Sequence, residues 1–171
     1  MKKEFSWHSI NIEQWYQIYQ ITKANISEID RAAELLKVVM CDTNADDVPI
    51  AVFAERLKFL DFLKDEMPKD KIKKEYTFGG RVFELRAAPD KITAAQYIDY
   101  KNYAKEEEDE QLKIGKYLSV FFVPKGETYG DYDMAEVITT LEQYCNISTA
   151  NSVAFFLQTQ LNKSIQVLKS S

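Results

Sequence analysis

The chain is poor in the residues that most often carry chemistry. Its 171 residues include one histidine, His8, and two cysteines, Cys41 and Cys145. That inventory offers no Cys/His/carboxylate cluster with metal-ligand spacing. Two isolated cysteines do not make a secreted disulfide framework, so both are read as reduced. Gly79-Gly80 lacks the following Lys-Ser/Thr and helix start of a phosphate-cradling loop. No serine stands in a nucleophile-elbow pattern. Asp42, Asp46 and Asp47 are irregularly spaced and lack the central Gly and final Glu of a calcium loop. No apolar run approaches the roughly 20 residues of a membrane span. The segment Met1–Trp7 carries positive charge with no apolar run behind it, which predicts no signal peptide. Positive charge is also short. The net charge of −5 argues against nucleic-acid binding through a basic surface. The one basic run, Lys69, Lys71, Lys73 and Lys74, is interleaved with Asp65, Glu66, Asp70 and Glu75, and reads as a mixed, solvated connector. These absences predict no catalytic residue, no metal, no cofactor and a cytoplasmic compartment. Carboxylates are plentiful, so an acid/base pair that spacing does not reveal stays open.

What is present is globular. Hydrophobic residues make up 46% and charged residues 29%, which argues against a disordered chain and suits one domain over 1–171. Ten Tyr and ten Phe exceed what a minimal core needs, and Tyr-rich surfaces are common at interfaces.

Apolar residues recur at helical spacing along most of the chain. A first helix is predicted from about Ile10 to Lys23. A second follows Ser27, a candidate N-cap, with Ile29, Ala32, Ala33, Leu36 and Val39 on one stripe. A third begins after Pro49 and runs towards Pro68. Thr93 is a candidate N-cap for a helix through about Tyr103. The acidic run Glu106–Glu110 leads into a helix through Phe122, and two more span Met134–Tyr144 and Ser148–Leu168. Between Pro68 and Asp90 the texture changes. Tyr76-Thr77-Phe78 and Val82-Phe83-Glu84-Leu85 flank Gly79-Gly80, which predicts a two-residue β-hairpin pairing Phe78 with Arg81 and Tyr76 with Phe83. The predicted fold is mainly α, with about six helices in two pseudo-repeated halves, 1–68 and 90–171, joined by a hairpin connector at 69–89.

The repeat is read from a shared register. Ile10-x-x-x-Gln14-Trp15-x-x-Ile18 matches Ile92-x-x-x-Gln96-Tyr97-x-x-Tyr100 at an offset of 82 (92 minus 10). The same offset carries Leu36 onto Leu118, Val38 onto Val120 and Val39 onto Phe121, and the later part of the match needs a gap of several residues. A lone hairpin is marginal in water and must pack on helices or on another chain. Tyr76, Phe78, Val82 and Phe83 are therefore the candidate protein-interface residues, with folding back onto the helical core as the open alternative.

The segment Ile92–Tyr100, the acidic stretch after it, Tyr117–Pro124 and the Phe155-Phe156-Leu157 helix are similar to small structural or assembly proteins of tailed bacteriophages, especially those infecting Bacteroidetes (the crAss-like phages). The likeness covers about the second half, through apolar patterns without chemical residues. It implies a non-enzymatic virion protein, such as a neck or tail ring component between portal and tail. A soluble tail-assembly chaperone or adaptor is the alternative. Either implies protein partners, this chain's own copies and other phage structural proteins among them, and a place in the virion or, during assembly, the host cytoplasm.

Overall fold

Side-chain caps set where the helices begin. The Asn11 carboxamide accepts the Gln14 N–H at 2.8 Å, and Gln14 accepts the Asn11 N–H at 3.0 Å, a capping box that opens α1 (Ile12–Lys23). Ser27 caps α2 (Glu28–Met40), which ends on Cys41 in the left-handed region. Pro49 precedes α3 (Ile50–Leu57), which tightens into a 3-10 turn through Lys64. Thr93 and Gln96 form the second capping box, opening α4 (Ala94–Lys105). Asp109 caps a 3-10 turn, Glu110–Leu112, ahead of α5 (Ile114–Phe121). Asp133 caps α6 (Met134–Tyr144), and α7 (Ile147–Lys169) follows. The computed structural model describes residues 4–169, with side chains through 162. Among them are seven α-helices and one three-stranded sheet, so the fold is mainly α with slightly more helices than the patterning predicts.

The offset of 82 recurs as hydrogen bonds as well as letters. Gln14 Nε2 donates to the Val38 carbonyl at 2.9 Å, and Gln96 Nε2 donates to the Val120 carbonyl at 2.7 Å. Arg31 donates to the Ala24 carbonyl at 3.0 Å, and Lys113 to the Glu106 carbonyl at 3.2 Å, each closing the end of the preceding helix. The caps Asn11 and Thr93, and Ser27 and Asp109, stand at the same spacing. Trp15 and Tyr97 are each the fourth residue of their helix. For the third helix of each half the offset becomes 84 (133 minus 49, from the cap residues Pro49 and Asp133), with Phe53 and Val137 buried at corresponding places.

The halves diverge after their second helices. The first turns at Cys41, whereas α5 runs straight into an extended segment, β3 (Phe122–Pro124). β3 extends the hairpin of β1 (Glu75–Phe78) and β2 (Arg81–Leu85) into an antiparallel sheet of order β1-β2-β3. The hairpin has the register the sequence predicts, Phe78 opposite Arg81 and Tyr76 opposite Phe83. Gly79 and Gly80, at φ +55° and +80°, supply the two positive dihedrals of its turn. The third strand corrects the expectation that residues through Phe122 are helical. β2 takes over from the helix at this point: Arg86 N–H donates to the Phe121 carbonyl at 2.9 Å, and Lys125 N–H to the Val82 carbonyl at 2.9 Å.

One core joins both halves. Ile10, Ile12 and Ile18 pack with Leu118, Phe121, Val137, Leu141 and Ile147, while Leu36, Ala45 and Phe53 form a smaller cluster within the first half. The N-terminal segment is stitched to the α6–α7 junction by a short bridge. Ile12 N–H donates to the Cys145 carbonyl at 3.1 Å, and Ile147 N–H to the Ile10 carbonyl at 2.8 Å, on either side of the Asn11–Asn146 pair. Both cysteines are free thiols, Cys41 exposed and Cys145 buried.

Candidate functional site

The hairpin does not project as an isolated element. Phe83 is 0% exposed and has no surface to offer another chain, and Phe78, at 6%, is a core residue that shows little more than an edge. This corrects their assignment as interface residues. The cause is Phe122 on β3, whose ring meets Tyr76 at 5.2 Å and Phe78 at 5.3 Å edge to face, while Phe78 and Phe83 lie 5.8 Å apart. Tyr76 and Val82 remain half-buried, and the Tyr76 hydroxyl accepts the Lys73 N–H at 2.9 Å.

Three of those four residues, Tyr76, Phe78 and Val82, line a surface groove of about 740 Å³ between β1 and the α6–α7 junction. Tyr144, Asn146 and Thr149 line it from the α6–α7 side, and His8 and Asp70 line it as well. Tyr144 lies across the hairpin turn, where a Cβ placed on Gly79 would be 2.9 Å from its ring. Phe83 lies outside the groove.

Asp70 is the polar anchor of the groove. Its carboxylate accepts from His8 Nε2 at 2.8 Å, Thr149 Oγ1 at 2.7 Å and Ser148 Oγ at 3.2 Å, and its own N–H donates to Ser152 Oγ at 2.8 Å. Burial alone would raise this carboxyl, but the hydrogen bonds from Thr149, His8 and Ser148 outweigh it and hold the group below its usual range. Ser, His and Asp are all present, yet the order is not that of a nucleophilic relay. Such a relay runs hydroxyl to imidazole to carboxylate, whereas here the hydroxyls and the imidazole converge separately on Asp70. The cluster ties the N-terminal segment, the connector and α7 together.

The acid/base pairing left open by the sequence is best represented by Tyr16 and Glu142. The Tyr16 hydroxyl accepts the Gly115 N–H at 2.8 Å, and burial pushes both the tyrosine and the glutamate upward. A Cβ on Gly115 would lie 2.6 Å from Glu142 Oε1, so the protein's own backbone already fills the space beside this pair. The acidic run is likewise occupied internally. Glu106 and Glu108 both reach Lys116 at 2.7 Å, Glu110 reaches Lys113 at 2.7 Å, and Asp109 accepts from Tyr19 at 2.8 Å.

The connector lysines contrast with this. Among the described residues no carboxylate bridges Lys71, Lys73 or Lys74, and Lys69 lies over the exposed Phe155 ring at 6.0 Å. Large apolar side chains also stand in solvent. Ile50 is 79% exposed, Phe155 67%, Tyr144 59%, Ile29 57% and Ile98 56%. Among the described residues no group of three or more His, Cys, Asp or Glu is placed to hold a metal ion, and no helix is long and apolar enough to cross a membrane. No protein-family model, curated protein or solved structure matches the chain.

Proposed function

We propose that this chain is a non-enzymatic structural protein of a tailed-phage virion, a ring component of the neck or tail that works through contacts with its own copies and with neighbouring particle proteins. The observation that carries the reading is the set of large apolar side chains left in water on both halves. Ile29 and Ile50 stand on α2 and α3, and Ile98, Tyr144 and Phe155 on α4, α6 and α7. A ring of identical copies needs two different surfaces that meet head to tail, and exposed apolar groups on both halves supply material for two. The likeness of the second half to phage structural proteins gives the reading its direction.

Quantitative mass spectrometry of purified particles tests it. A ring component is present in a fixed, small-integer ratio to the portal. A protein needed for assembly but absent from finished particles is a chaperone or adaptor, and the virion reading fails. Ile50→Asp is the matching variant: it should leave the monomer's melting temperature within a few degrees, as surface changes do, and block incorporation.

A further inference from the structure

We propose that the outer edge of β1 accepts an extended acidic segment of a partner protein as a fourth strand of the sheet. In an antiparallel pair the backbone groups of successive residues point alternately to the neighbour and away from it. Leu85 N–H donates to the Lys74 carbonyl at 2.9 Å. That parity turns Lys74, Tyr76 and Phe78 towards β2, and leaves the N–H and C=O of Glu75 and Thr77 facing outward along the groove.

The sheet's other edge is closed. On β3 the Phe122 N–H is spent on the Leu118 carbonyl of its own helix, Pro124 has no N–H, and all three residues of the strand are buried. Proline and burial are ordinary ways of blunting an edge strand. β1 has no proline, its outward-facing Glu75 and Thr77 are exposed, and the groove runs beside it.

Charge selects the occupant. The two carboxylates of the groove are already matched, Asp70 by His8, Ser148 and Thr149, and Glu75 by Lys125 at 2.8 Å. Among the described residues no carboxylate bridges Lys71 or Lys73, which also line the groove, and with Lys125 the three lysines outnumber its two carboxylates. The lysines lie towards the start of β1, and Tyr144 lies at its Gly79 end. An antiparallel segment, in keeping with the rest of the sheet, then places an apolar residue near Tyr144 and acidic residues, further along its own chain, beside Lys71 and Lys73. Main-chain bonds hold such a strand and side-chain contacts choose it.

The inference rests on the reading of the chain as a protein-binding component, but not on its presence in a virion, so particle composition and peptide binding can fail separately. The test titrates the full chain with a fluorescent synthetic octapeptide, Ala-Val-Thr-Val-Thr-Asp-Glu-Asp. Two control peptides accompany it, one N-methylated at alternate residues and one with lysine in place of its acids. The expected result is saturable binding of the first peptide, with hydrogen-exchange protection of the Glu75 and Thr77 amides. Both controls should weaken it by at least about tenfold, as should the paired change Lys71→Glu with Lys73→Glu. Thr77→Pro removes only an outward N–H, and should abolish binding while keeping the helical circular dichroism. Absence of binding overturns the proposal. So does equal binding of the N-methylated peptide, which reduces the effect to charge capture by lysines. Concentration-dependent self-association that shields the same two amides without peptide also overturns it, by giving the edge to a second copy.

Discussion

Gln96 is a fully buried polar side chain whose loss can be put in numbers. It is 0% exposed, its Nε2 donates to the buried Val120 carbonyl, and its Oε1 accepts the Thr93 N–H at 3.0 Å. Gln96→Ala strands the Val120 carbonyl without water, a cost of about 1–3 kcal/mol. It also removes one arm of the α4 capping box, worth about 1 kcal/mol. Together these give roughly 2–4 kcal/mol, or a fall in melting temperature of about 5–15 °C for a chain of this size. The corresponding Gln14 makes the same bond to Val38 but is only half-buried. Water can replace its amide, so Gln14→Ala should cost about 1 kcal/mol. Urea unfolding of the two variants and the parent, with matched m-values, measures the difference. Equal losses in the two variants would show that burial does not set the strength of this bond. A Gln96→Ala variant within about 0.5 kcal/mol of the parent would show that Val120 finds another partner.

Phe83→Ala should destabilise by about 3–5 kcal/mol, since it opens a cavity among Phe78, Tyr76 and Phe122; a loss under about 1 kcal/mol would place the hairpin outside the core. Gly79→Ala should cost more than Gly80→Ala. Both are left-handed, at about 1–2 kcal/mol, but only Gly79 meets the Tyr144 ring. Adding Tyr144→Ala should then recover the excess, and failure to do so removes the clash from the account. Asp70 contributes to stability in a pH-dependent way. Its folded value is depressed, so its contribution is present above the ordinary carboxylate value of 3.8 and is lost as pH falls through the lowered one. The gap in urea midpoint between the parent and Asp70→Asn should therefore shrink between pH 7 and pH 3. An unchanged gap would mean that the contacts of Asp70 are indifferent to its charge.

The elements legible in the sequence are those with local causes. Ser27 and Thr93 announce helix starts because a cap acts within three residues, and Gly79-Gly80 fixes the hairpin register through its own dihedrals. The shared spacing of Gln14 with Val38 and Gln96 with Val120 is visible as letters; that each glutamine bonds the carbonyl of its matching valine is not, because neither bond has a motif. β3 is hidden in Val120–Pro124, a continuous apolar run whose change from helix to strand depends on β2, about forty residues earlier in the chain. Asp70 looks like one more charge in a solvated connector because its partners, His8 and Thr149, are 62 and 79 residues away. Tyr76 and Phe83 stand out as a cross-strand aromatic pair, and the register places them opposite each other. Whether they face water depends on Phe122, and the hairpin's own letters carry no trace of it.

The bridge between Asn11 and Asn146 has a consequence during synthesis. Its two strands are separated by almost the whole chain, 135 residues (146 minus 11). At 5–20 residues per second, roughly 7–27 s pass between the appearance of the first and of the second. Through that interval Ile10 and Ile12, both 0% exposed in the finished protein, have none of their later neighbours from α6 and α7. α1 can form early from its own cap and pack on α2, but the part of its apolar face that α6 and α7 cover waits until they emerge. The nascent first half thus carries unfinished apolar surface, and α7 is the clasp that covers it.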